Sequence, residues 1–315
     1  MIKYACFLIP FLFLGYSVES QELPVLLEPE SFEKKQISEG LISKEELTGH
    51  LQFLSSDALK GRKTGDPENI IARNYITEYF LSQNLEVVLQ PFSFERDSKT
   101  YKATNVITTI KGTENPEKYI AITAHFDHTG IGKPIENDSV YNGADDNASG
   151  TAALMVMAKY FKENPPKNSL MFIALDAEEM GLQGAKYFVE NKDDKNILFN
   201  INMDMISRND ANEIYVCGTR FTPSFKNYFS SIPEKTFPIT IKMGHDGLDG
   251  KDSWVTASDH AHFYKNNIPF LYFGVEDHAD YHKPSDEFEN IQPEFYHNVV
   301  LFILNTIADL DSRIE

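Results

Sequence analysis

Four short apolar runs, each ending in a residue type that binds metal, constrain this chain more than any other feature. The run from Tyr119 to Ala124 ends in His125-Phe126-Asp127, and the run from Leu170 to Leu175 ends in Asp176-Ala177-Glu178-Glu179. Asn200 to Met203 leads into Asp204, and Pro269 to Phe273 is followed by a stretch rich in acids and histidines that closes at Tyr281-His282. Runs of this length, separated by helical patterns, predict buried parallel strands. Open α/β sheets carry their sites just beyond the carboxyl ends of such strands. One polar residue at a strand end is ordinary. Four strands delivering His, Asp and Glu to one edge predict a single site, and the ligand types point to zinc.

The rest of the chain fits one α/β domain with a mostly parallel, twisted sheet flanked by helices. Ser43-Lys44-Glu45-Glu46 is a capping-box pattern followed by Leu47, Leu51 and Leu54 at helical spacing. A second helix is expected to carry Ile71, Tyr75 and Tyr79 on one face, with Ile76 and Phe80 beside it. Strands are expected around 85–94 and 103–110, and further helices over 149–161, 182–191, 258–266 and 293–310. Residues 1–20 read as a signal peptide: Lys3 is its positive end, Tyr4 to Gly15 its apolar stretch, and cleavage is expected near Ser20. The apolar stretch is short for a membrane span, which takes about 20 residues. Residues 21–42 are a polar leader, and 43–315 form the domain. The expected destination is therefore outside the cytoplasm, in a bacterial periplasm or medium.

Lys and Arg number 29 against 47 Asp and Glu, a formal net charge of −18. So acidic a surface excludes nucleic acid as a partner class and disfavours anionic membrane, so no stable membrane partner is expected. Past the leader, Cys217 is the one cysteine, in a strand-like setting where a small buried hydrophobe is expected. The chain has no His-Glu-x-x-His, no Gly-x-Ser-x-Gly and no Walker lysine motif.

The candidate site residues sit in a few segments. Asp127, two residues beyond His125, is placed to orient that histidine, as carboxylates do for metal-bound imidazoles. Gly143 to Gly150, with Asp145, Asp146 and Asn147, enters a helical run; capping explains one such residue, not three in succession. Neighbouring Glu178 and Glu179 point different ways on extended backbone, so one can bind metal while the other takes a proton. Asp204, at the end of an apolar strand, needs a cation or several donors. The Gly/Asp loop from Met243 to Asp252 lacks the EF-hand positions and reads as a solvated loop.

Together, Ala124-His125-Phe126-Asp127-His128, Gly143 to Gly150, Asp176 to Gly181, Asn202-Met203-Asp204-Met205 and Tyr281 to Asp286 resemble, in order, the di-zinc aminopeptidases of metallopeptidase family 28. Leu59 to Arg62 with Gly65, and Ser258-Asp259-His260, are similar to its secreted bacterial branch. The resemblance implies a zinc-exopeptidase-like fold (phosphorylase/hydrolase-like) and two zinc ions bridged by Asp146. His125 and Asp204 would complete one ion, Glu179 and His282 the other. It further implies Glu178 as general base, Asp127 orienting His125, and Tyr281 as a donor to the oxyanion. The implied substrates are peptides with a free amino terminus. A one-zinc glutaminyl cyclase, a carboxypeptidase or dipeptidase, and a non-catalytic binding domain share the scaffold as alternatives. Oligomeric state and the preferred first residue are not legible.

Overall fold

The computed structural model describes residues 42–314. The expected signal peptide and all of the leader except Ile42 lie outside the described residues. Helix α1 (Lys44–Leu54) starts where Ser43 Oγ accepts from the Glu46 amide at 3.2 Å, and it buries Leu47, Leu51 and Leu54. A 3-10 turn over Asp57–Arg62 leads to α2 (Pro67–Ser82), whose proline stands at the first helical position, where no intrahelical N–H is needed. Its buried face is Ala72, Ile76 and Phe80, whereas Ile71 is 48% exposed. The expected Ile76 and Phe80 are buried and Tyr75 and Tyr79 pack partly against the core, so the packed face is rotated by one position from Ile71 to Ala72.

Strands β1 (Val87–Arg96) and β2 (Lys99–Ile110) form an antiparallel hairpin. They are followed by β3 (Asn115–His125) and by the two-stranded ribbon of β4 (Gly130–Ile135) with β5 (Asp138–Tyr141). Then come α3 (Gly150–Glu163), β6 (Asn168–Leu175), α4 (Gln183–Glu190), β7 (Asn196–Met203), β8 (Glu213–Cys217) and α5 (Pro223–Ser231). The chain closes with β9 (Thr240–Met243), α6 (His260–Lys265), β10 (Phe270–Gly274) and α7 (Pro293–Arg313).

The main sheet has eight strands in the order β1-β2-β6-β3-β7-β10-β8-β9. Its centre, β6-β3-β7-β10, is parallel throughout, and antiparallel pairing enters where β2 meets β6 and β8 meets β10. The central strands alternate between two apolar layers, as pleated backbone requires. Ile120, Ile122, Leu170, Phe172 and Ile201 face the core shared with α1, α2, α3, α5 and α7; Ala121, Met171 and Ile173 face that of α4 and α6. With both faces covered, all eight residues of β6 are buried, which is why six of them, Leu170 to Leu175, read as an unbroken apolar run. Cys217 is fully buried on β8, as a small hydrophobe would be. Among the described residues no helix is long and apolar enough to cross a membrane.

Candidate metal centre

The parallel centre of the sheet sets the site. β3 ends at His125 and β6 at Leu175, opposite each other in register, so His125 and the Asp176–Glu179 segment emerge side by side. β7 ends one residue before Asp204, whose amide donates to Phe273 O on β10 at 3.1 Å. Asp146 comes from the turn preceding α3. That turn begins at Gly143, which has φ +59°, and a Cβ there would lie 2.1 Å from Asp146 O. Only glycine closes the turn this tightly.

These elements bring together the expected ligands. His125 Nε2 lies 3.4 Å from Asp146 Oδ1 and 3.3 Å from Asp204 Oδ1. His282 Nε2 lies 3.0 Å from Asp146 Oδ2 and 3.3 Å from Glu179 Oε1. Sequence reasoning missed a further participant. His128, fully buried, puts Nδ1 2.8 Å from Glu179 Oε1 and 3.8 Å from Asp146 Oδ2. Two groups with a geometry suited to a metal ion result: His125, Asp146 and Asp204, and His128, Asp146 and Glu179. The second was expected to rest on His282, which is also in reach; the hint for His128 was its place at the end of the Ala124–His128 motif, beyond the strand's periodicity.

The donor chemistry fits a metal. His128 Nε2 is buried without a polar partner among the described residues, and His128 Nδ1, Glu179 Oε1 and Asp204 Oδ1 are buried with only the ion-pair approaches given above and no well-directed hydrogen bond. Such atoms are costly to bury unpaired and are satisfied by a cation between them. The electrostatics agree. Burial opposes charge on Asp146, but His128, His125 and His282 hold its carboxyl well below the ordinary range. Burial pulls the His125 imidazole down, yet Asp204, Glu178 and Asp146 push it well up. Burial and Asp146 raise Glu179, while His128 and His282 win and take it to about 2. Glu178 behaves in the opposite way. Burial first, then Asp259, Asp204 and Glu179, push it well above a normal glutamate against the pull of His125. A carboxylate with raised proton affinity at the rim of a cation site has the character of a general base.

Asp127 differs from its expected geometry. His125 Nδ1 is 3.1 Å from the Asp127 backbone carbonyl and 3.8 Å from its carboxylate. The carboxylate instead accepts from the amides of Glu178 (3.0 Å) and Glu179 (3.3 Å) and from Thr64 Oγ1 (3.1 Å). The turn after β3 points its carbonyl back at the ring and leaves the side chain facing the end of β6. Tyr281 lines the same cleft, its ring stacked on His282 at 4.0 Å; burial, then Asp146 and Asp204, raise its phenol, keeping it a donor.

Supporting residues lie farther in. Arg62 is 0% exposed, and its guanidinium donates to the carbonyls of Phe126 (2.6 Å), Leu54 (3.0 Å), Gly143 (2.8 Å), Asp146 (3.4 Å) and Asn142. Burial lowers it to about 10, with Asp146 and Asp127 pulling upward, so it stays cationic at neutral pH. Asp286 accepts from the amides of Asp145 and Asp146, both at 3.0 Å. Thr123 Oγ1 donates to Asn202 Oδ1 (2.6 Å), and Asn202 Nδ2 donates to Ser258 Oγ (2.9 Å), tying β3, β7 and the segment before α6 together. The loop over 243–252 is tied to neighbouring segments rather than solvated throughout. His245 stacks on Trp254 at 3.5 Å, and Asp246 accepts from Thr219 Oγ1 (3.1 Å) and the amide of Arg220 (3.2 Å). The cleft above the ligands has a volume of about 420 Å³.

A family model described as Peptidase family M28 matches residues 105–307. Aminopeptidase YwaD of Bacillus subtilis is 28% identical over 247 residues, which cover 75% of this chain and 50% of that protein. The chain thus spans about half the length of this relative. The structure of BSAP, a zinc aminopeptidase from Bacillus subtilis, superposes with a TM-score of 0.69 at 16% identity, over 84% of this chain and 95% of that one. A Bacteroides thetaiotaomicron glutaminyl cyclase bound to N-acetylhistamine superposes with a TM-score of 0.67 at 20% identity, over 85% and 98%. At these identities the superpositions speak for the fold alone.

Proposed function

The chain belongs to peptidase family M28, and on that premise we propose that it is a zinc-dependent exopeptidase removing the amino-terminal residue of peptides. The observation that carries this reading is a pair of buried ligand groups sharing Asp146, in which imidazole nitrogens and carboxylate oxygens converge on one another. His125 and Asp204 would hold one zinc with Asp146; Glu179 would hold a second with Asp146, helped by His282 and His128. Bound zinc supplies Lewis acidity, acidifying water and polarising the scissile carbonyl.

The protein's own groups do the rest. Glu178 takes the proton from the attacking water and passes it to the leaving nitrogen, as its raised proton affinity allows. Asp127, through the amides of Glu178 and Glu179, fixes the segment that carries both glutamates. Tyr281 donates to the oxygen that becomes negative as the carbonyl turns tetrahedral. The carboxylates crowding the cleft attract the free amine of the first residue, and that selects an exopeptidase. Residues 1–20 act as an export signal, and the mature protein works in the periplasm or medium. A mature mass starting at Gln21 checks this.

The test pairs peptides with free and acetylated amino termini, each with and without a zinc chelator, alongside a zinc count. Chelator-sensitive release of the first residue from free-amine peptides only, with two zinc per chain, is expected. One zinc per chain with cyclisation of amino-terminal Gln would replace the reading with a cyclase.

A further inference from the structure

The cleft carries opposite charges on its two sides. Arg96, at the end of β1, lines it and donates from Nη1 to the Glu179 carbonyl at 3.1 Å. Asp277, three residues past β10, lines it as well. The sheet order sets their places: β1 and β2 lie beyond β6 on one flank of the ligands, and β10 lies beyond β7 on the other. The positive group therefore stands on the β6 side and the negative one on the β7 side.

Asp277 is exposed, and its electrostatic neighbours are Asp252, Asp146, His282 and His278, with no Lys or Arg among them. Burial first, then Asp252, raises its carboxyl against the pull of the two histidines. Trp254, Val275 and Met205 line the same cleft and are largely buried, so they offer it apolar edges among its polar groups. An exposed carboxylate in a cleft with such edges matches a long aliphatic stem with a cationic head. The direction of the substrate follows from the reading above, on which this inference rests. Glu178 at the end of β6 delivers a proton to the leaving nitrogen, so the departing peptide lies on the β6 side. The first residue then lies toward β10. Arg96 would repel a cation on the other flank.

We propose that Asp277 is a specificity-determining residue and that the enzyme prefers peptides whose first residue is lysine or arginine. The stem packs along Trp254 and Val275 and the ammonium or guanidinium reaches the carboxylate.

The experiment measures kcat/KM on zinc-loaded wild type, Asp277→Asn and Asp277→Lys with peptides differing only in a first residue of Lys, Leu or Glu. Calorimetric binding of the free amino acids lysine and leucine is measured on the same proteins. The wild type is expected to favour Lys over Leu. Asp277→Asn should lower the Lys-to-Leu ratio about three- to tenfold, the range between a solvated and a partly shielded ion pair. Asp277→Lys should lower it further and raise the Glu-to-Leu ratio. Lysine should bind more tightly than leucine to the wild type, and this margin should shrink in Asp277→Asn. Equal ratios in wild type and Asp277→Asn, or leucine binding at least as tightly as lysine, would overturn the assignment. If no peptide is cleaved whatever its first residue, the exopeptidase reading fails, and the calorimetry alone decides whether Asp277 reads a cation.

Discussion

The group around His125 and the group around Glu179 meet at Asp146 but rest on different supports. His125 and Asp204 stand at the ends of adjacent parallel strands, and the His125 side chain is 1% exposed. The other group draws Glu179 from the turn after β6, His128 from the loop after β3, and His282 from a late loop, where it has φ +52° and a 41% exposed side chain. One half is fixed by sheet register. The other is fixed by turns and opens onto the cleft. On the proposed reading the closed half would hold an ion firmly and the open half would leave room for substrate.

The largest expected effect removes what the halves share. Asp146→Ala should abolish zinc at both positions and cut turnover by at least about 10³-fold, read by metal analysis and peptide release. Glu178→Gln should leave both zinc ions in place and lower kcat about 10²–10⁴-fold, because only the proton relay is lost; wild-type turnover would remove Glu178 from the mechanism. Arg62→Met tests the support beneath both halves. It strands at least four buried carbonyls and should cost about 3–5 kcal/mol by urea unfolding. His128→Ala and His282→Ala sharpen the asymmetry. Each should weaken one zinc about 10–100-fold and spare the other, with the buried His128 expected to matter more than the half-exposed His282. Competition with a coloured chelator reads both.

A last effect is in pH and leaves the metal centre untouched. Burial lowers His260 to about 3 against the pull of the Trp254 carbonyl, 2.8 Å from its Nε2, so the folded protein holds it neutral. Its unfolded value is near 6.5. The stability tied to the neutral ring is therefore full above about pH 6.5 and falls by about 1.4 kcal/mol per unit as pH drops toward 3. His260→Gln should flatten that slope in urea titrations between pH 6.5 and 4.

What could be read from the chain follows the same division. The apolar runs of β3, β6 and β7 marked the strands, and strand ends marked His125, Glu178, Glu179 and Asp204 as site residues, because pleat and burial leave a periodic trace. His128 lies past the last periodic residue, where nothing separates a buried histidine from a surface one. Arg62 sits in Leu59 to Arg62, a segment that offers a likeness to the secreted bacterial branch but no role for its arginine. Its burial depends on carbonyls that no local pattern reveals. The carboxylate of Asp127 was assigned to a ring two residues away, whereas the fold gives it to amides 51 and 52 residues on. Ile71 was placed on the packed face because helical spacing gives the stripe but not its rotation.

Arg62 also implies an order of assembly. Its partners other than Leu54 lie 64 to 84 residues further along the chain, yet Leu54 is the last residue of α1. The first helix, the turn carrying Arg62 and the strap bearing Asp146 are thus latched by one cation, and closing that latch needs a loop of many residues to form first. The latch adds to the grip of Asp286 on the strap, so zinc uptake should be a late event in maturation. In hydrogen exchange, the amides of residues 144–149 should then open together with α1, as one unit, rather than fraying like an ordinary surface loop.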